Sequence, residues 1–181
     1  LTFDLANVFG QNVSLNGAQV AFDGVTVKNT QIANGINVNA ESFLSFTGSP
    51  STVTNNGLVG INISGGSSVV AANLTVSNNA IQGQGSAEKG GIVVRGASTL
   101  TLQNTVFSNG QTVNAPVEIT GNKGEGIRVE GGTLLSNAEG GTAYVHVASN
   151  ENVGLGVNGG YADLEGHFKF ENNNWLDSLR F

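Results

Sequence analysis

An all-β solenoid is the fold class this sequence predicts, and three observations predict it. The motif Gly-Ile-x-Val-x-Gly-Gly recurs as GINISGG from Gly60, GIVVRGA from Gly91, GIRVEGG from Gly126 and GLGVNGG from Gly154, with a degenerate copy, GINVNAE, from Gly35. Its opening glycines stand 25, 31, 35 and 28 residues apart, too irregular for most helical arrays but natural for a coil whose loops vary while its strands keep register. Composition agrees. The 181 residues include 27 Gly, 24 Asn and 21 Val, and only 11% are charged, so turn and strand residues dominate and helix formers are scarce before the last ten positions.

Each coil is read as three short strands. In the first, Ile61 and Ile63 flank Asn62, and Ile127 and Val129 flank Arg128, so apolar and polar residues alternate and one face is buried. The glycine pair then turns the chain. A second strand alternates in the same way through Val69 and Ala71, or Leu100 and Leu102. A third apolar step ends in Asn, as in Val53-Thr54-Asn55, Val76-Ser77-Asn78, Phe107-Ser108-Asn109 and Phe170-Glu171-Asn172. An amide side chain tolerates left-handed backbone and carries both donor and acceptor, so Asn55, Asn78, Asn109 and Asn172 are expected to form a structural ladder from coil to coil. Strands that hydrogen-bond to their equivalents one coil away give roughly six coils and a body about 30 Å long. Residues 1–181 are read as one domain: an N-terminal strand or cap over 1–19, repeats over 20–170, and a short C-terminal helical cap over 171–181.

The Gly-Ile-x-Val-x-Gly-Gly cadence followed by Val-Ser-Asn-Asn resembles the right-handed parallel β-helix, or pectate-lyase-like, superfamily over about residues 20 to 175. The resemblance implies a right-handed, single-stranded β-helix. It leaves function open, because members include polysaccharide lyases and hydrolases, phage tailspikes, autotransporter passengers and surface adhesins.

A net charge of -6 with seven scattered basic residues argues against a nucleic-acid partner. With no Cys and two isolated His there is no thiolate metal site and no zinc spacing, and no run of apolar residues is long enough for a transmembrane helix. No cofactor is expected; calcium is the one ion left open, through the Gly-rich stretch from Gly154 to Asp163, although the full calcium-repeat motif is missing. The chain opens on Leu1, which suits a mature secreted protein or an excised module, and the expected location is extracellular or at the cell surface.

Few residues suggest chemistry. Asp163, Glu165, His167 and Lys169 share one face if they lie on one strand, and Asp163 and Glu165, with Arg128, are the catalytic candidates if the chain is an enzyme. Register puts Arg95 beside Glu130, where a surface ion pair is expected, and His146 is read as exposed with no acidic neighbour in sequence. At the ends, a β-coil exposes bare strand edges and an open core, so Leu1, Phe3, Leu5 and Phe9 on one side and Trp175, Leu179 and Phe181 on the other are expected to cap the coil or to join copies. The resulting expectation is an extracellular structural or adhesive module, assembling head to tail with itself into a fibre or layer. The alternative is a carbohydrate-active β-helix or a glycan-binding module without turnover.

Overall fold

The computed structural model describes residues 1–4, 10, 12–82, 89–138, 141–174 and 179–180, the last two as backbone only. All its regular elements are strands, and three long parallel sheets contain nearly all of them. The first sheet is built from the recurring motif: β2 (Val13–Asn16), β5 (Ile36–Asn39), β8 (Ile61–Ile63), β11 (Gly90–Arg95), β16 (Glu125–Glu130), β19 (Leu155–Asn158) and β22 (Leu179–Arg180). The second holds β3 (Gln19–Phe22), β6 (Phe43–Phe46), β9 (Ser68–Ala71), β12 (Thr99–Gln103), β17 (Thr133–Asn137) and β20 (Tyr161–Asp163). The third holds β1 (Thr2–Asp4), β4 (Thr26–Lys28), β7 (Ser51–Thr54), β10 (Leu74–Ser77), β15 (Val117–Thr120), β18 (Val145–Ala148) and β21 (Phe168–Glu171). The chain visits first, second and third sheet in turn and then repeats, so neighbours in a sheet are one coil apart.

Register converts the repeat into a core. Ile36, Ile61, Ile92, Ile127 and Leu155 stack in line on the first sheet, Leu44, Val69, Leu100 and Leu134 on the second, and Val27, Val53, Val76, Ile119 and Val147 on the third. All of them are fully or almost fully buried. No coil could bury its apolar side alone, so the stack itself supplies the hydrophobic stabilisation.

The corner between third and first sheets explains the Asn-rich composition, and it divides labour between two adjacent residues. Asn55, Asn78 and Asn172 take left-handed φ values of 55°, 53° and 54°, while their side chains are exposed. The ladder lies one residue further on, in Asn56, Asn79, Asn122, Asn150 and Asn173, all buried. Each backbone N–H and each Nδ2 of one rung donates to the Oδ1 of the next at 2.9–3.1 Å. The second Nδ2 hydrogen of Asn79, Asn122, Asn150 and Asn173 reaches a strand carbonyl at 3.0–3.2 Å. In Asn79, Asn122 and Asn150 the donors and the acceptor of the side chain are thus used up, which is what buried amides require.

The expected ladder changes in membership as well as in position. Asn109 is not in the ladder: it sits with Gly110, at φ values of 50° and 79°, in the turn of a separate antiparallel hairpin, β13 (Thr105–Ser108) and β14 (Gln111–Asn114). Ala115 N–H donates to the Asn104 carbonyl at 2.7 Å and closes the coil beneath this excursion. At the C-terminus, β21 reaches Glu171, residues 172–174 belong to no regular element and Leu179–Arg180 pairs with β19, so the described part of the expected cap contains no helix, and residues 175–178 lie outside the described residues. Leu5, Phe9, Trp175 and Phe181 lie outside the described residues. Phe3 packs against the core on β1, and Leu1 is 77% exposed.

Candidate functional site

Outward-facing polar residues gather in two rows. On the first sheet, β11 and β16 place Arg95 opposite Glu130, and Arg95 Nε donates to Glu130 Oε2 at 2.8 Å. The Arg95 Nη1 group also reaches Asn62 Oδ1 at 3.1 Å, Asn62 Nδ2 donates to Asn37 Oδ1 at 3.1 Å, and Asn34 Nδ2 donates to the same Asn37 oxygen at 2.9 Å. Arg128 binds Glu125 through its Nε and Glu130 through its Nη1 at 3.4 Å. The result is a continuous chain of charge-assisted and amide hydrogen bonds crossing several coils. Arg128, one of the catalytic candidates, is thus held between two carboxylates.

The third sheet carries the second row. Glu118, His146 and Lys169 are directly aligned on β15, β18 and β21. His146 Nδ1 lies 2.8 Å from Glu118 Oε2 and its Nε2 lies 2.9 Å from Glu171 Oε1, while Lys169 Nζ is 2.7 Å from Glu171 Oε2. Glu118, Tyr144, His146 and Lys169 line an open depression there. This cluster escaped the sequence reading because Glu118 and Glu171 are 28 and 25 residues from His146. Aligning the third strands as Val-Glu-Ile-Thr, Val-His-Val-Ala and Phe-Lys-Phe-Glu is the signal that finds it.

Electrostatics here give a pH expectation. The Lys169 ammonium, hydrogen-bonded to Glu171, holds that carboxyl below its ordinary value of 4.5, with the His146 hydrogen bond adding to the effect. A carboxyl depressed in the fold contributes stability that is present above its unfolded value and lost as pH falls through the folded one. Urea midpoints along the acid limb, at and below pH 4.5, are expected to fall less steeply in Glu171→Gln than in the native protein. Equal slopes would show that this carboxyl makes no such contribution.

The stripe from Asp163 to Lys169 is not one strand face. Strand β20 ends at Asp163, Gly166 turns the chain at φ 79°, and β21 opens at Phe168, so Asp163 belongs to the second sheet and Lys169 to the third. Asp163 Oδ2 accepts the Tyr161 hydroxyl at 3.1 Å, and Glu165 is exposed at the corner. Asp163, Glu165 and Arg128 are therefore distributed over two sheets and a corner. Among the described residues no group of three or more acidic, His or Cys side chains is placed to hold a metal ion.

No family model, curated protein or solved structure matches the chain. Its parallel three-sheet architecture is compatible with the β-helix it resembles.

Proposed function

We propose that this chain is a structural, adhesive module of a secreted or surface-exposed assembly, a right-handed parallel β-helix whose copies join end to end. One observation supports the reading above others. Among the described residues, the apolar ones that pack against the core while staying partly exposed are confined to its two ends: Phe3, Val13, Ala18 and Val20 at one, and Val157, Ala162, Leu164, Phe168 and Phe170 at the other. Both ends also finish in strands whose outer edges face away from the stack. Two unlike ends that each need cover fit a heterologous, propagating contact. The pairing of outward charges with one another along both polar rows accords with a surface built to persist.

Light scattering with negative-stain imaging tests this. Native protein is expected to grow with concentration into rods, and either Val20→Glu or Phe168→Glu, each charging a half-exposed end position, is expected to stop the growth while circular dichroism shows the strands retained. A native chain that stays monomeric throughout would overturn the proposal.

A further inference from the structure

Among the described residues, the hairpin of β13 and β14 is the one element that leaves the coil, and it is a two-stranded sheet of its own. Such a ribbon is marginal without a third strand. Every residue of β14 is exposed, and on β13 Phe107 is 79% exposed. No charged residue occurs between Arg95 and Glu118, although the whole chain carries -6. None of the usual protections of a strand edge, such as a charge, a proline or a bulge, lies on Gln111–Asn114.

The hydrogen-bond phase identifies the available groups. A two-residue turn with both φ values positive makes Ser108 and Gln111 a hydrogen-bonded closing pair. The Ala115 to Asn104 bond keeps the same phase at the base of the hairpin. Bonded pairs alternate with unbonded ones, so the N–H and C=O of Thr112, opposite Phe107, point away from β13.

We propose that this outer edge of β14 pairs antiparallel with the same edge of a second copy, about a two-fold axis through Thr112. Thr112 then faces Thr112 of the partner copy in a doubly hydrogen-bonded pair, and Gln111 faces Val113. Phe107 shares a face with Thr112, so the two Phe107 rings lie on one side of the resulting four-stranded sheet. An uncharged edge is where two molecules of charge -6 approach with least repulsion, and an edge paired about a two-fold is self-complementary. This lateral contact is independent of end-to-end joining.

Because the chain has no Cys, one introduced thiol reports the contact cleanly. Bonded antiparallel partners have Cα atoms about 5.5 Å apart, inside the range for a disulfide. Under mild oxidant, Thr112→Cys is expected to form covalent dimer about tenfold faster than Asn137→Cys, an exposed control on an interior strand of the second sheet. Thr112→Pro removes an outward N–H and leaves the bonds of the hairpin intact. Sedimentation should show the dimer in the native chain and its loss in Thr112→Pro, whether or not longer rods form. A native chain without dimer, an assembly unaffected by Thr112→Pro, or cross-linking of Thr112→Cys at the control rate would each overturn the proposal.

Discussion

Asn122→Ala is expected to destabilise the protein by about 4 kcal/mol, far more than one hydrogen bond is worth on average. The reason lies in what the mutation leaves behind. Asn122 Oδ1 accepts from both the backbone N–H and the Nδ2 of Asn79, and its own Nδ2 serves the Val76 carbonyl and Asn150 Oδ1. Truncation orphans two buried donors on Asn79 and takes away the side-chain donor to the Val76 carbonyl, in a corner that is closed to solvent at Asn79, Asn122 and Asn150. Unsatisfied buried groups cost about 1–3 kcal/mol each. The exposed Asn78, one residue away from its own ladder position, is the control. Its side chain is outside the ladder, so Asn78→Gly, which keeps the left-handed backbone, is expected to change stability by less than about 1 kcal/mol. Equilibrium urea unfolding of the two variants measures the difference. Similar midpoints would mean that the ladder is incidental to stability.

Gly126→Ala is the second large effect. A methyl group at this position would stand 2.5 Å from Val147 Cγ1, 2.7 Å from the Gly154 carbonyl oxygen and 2.8 Å from Asn150 Nδ2. The backbone oxygen belongs to the neighbouring coil and the amide to the ladder, so neither can yield without breaking register. A loss of about 3 kcal/mol, or failure to fold, is expected. The same geometry recurs at Gly60, Gly91 and Gly154, where the added methyl would meet Nδ2 of Asn79, Asn122 and Asn173 at 2.8–2.9 Å. By contrast Gly96 has open space around its α-carbon, and Gly96→Ala should cost only the left-handed backbone term of about 1–2 kcal/mol. Thermal unfolding of the two alanine variants separates steric from conformational demand.

Those glycines explain what was legible in the sequence. The opening Gly of each repeat is small because a ladder amide lies on it, and the Ile and Val that follow alternate because one side faces the core. Both constraints recur at the same place in every repeat, so all-β parallel strands could be read directly. The ladder was placed one residue early because two neighbouring asparagines have different work, one bending the backbone and one bonding inside, and only the burial of the second distinguishes them. Val-Phe-Ser-Asn at 106–109 imitates the Val-Ser-Asn of a third strand, yet the core position is taken by Val117 and Ile119 after the hairpin. The break at Gly166 was visible as a glycine inside the proposed stripe. The His146 cluster was not visible residue by residue, since every partner comes from another coil.

Asn104 and Ala115 mark the neck of the hairpin, and both are fully buried. Asn104 Nδ2 donates to the carbonyls of Ala138 and Ala143, while its carbonyl takes the Ala115 N–H, so the coil is sealed at that point whatever lies beyond. Seen from the core, residues 105–114 are cargo. A stretch of different length or sequence joined at the same two residues would leave every rung in place, so this corner is a natural socket where new surface can be written without rewriting the fold.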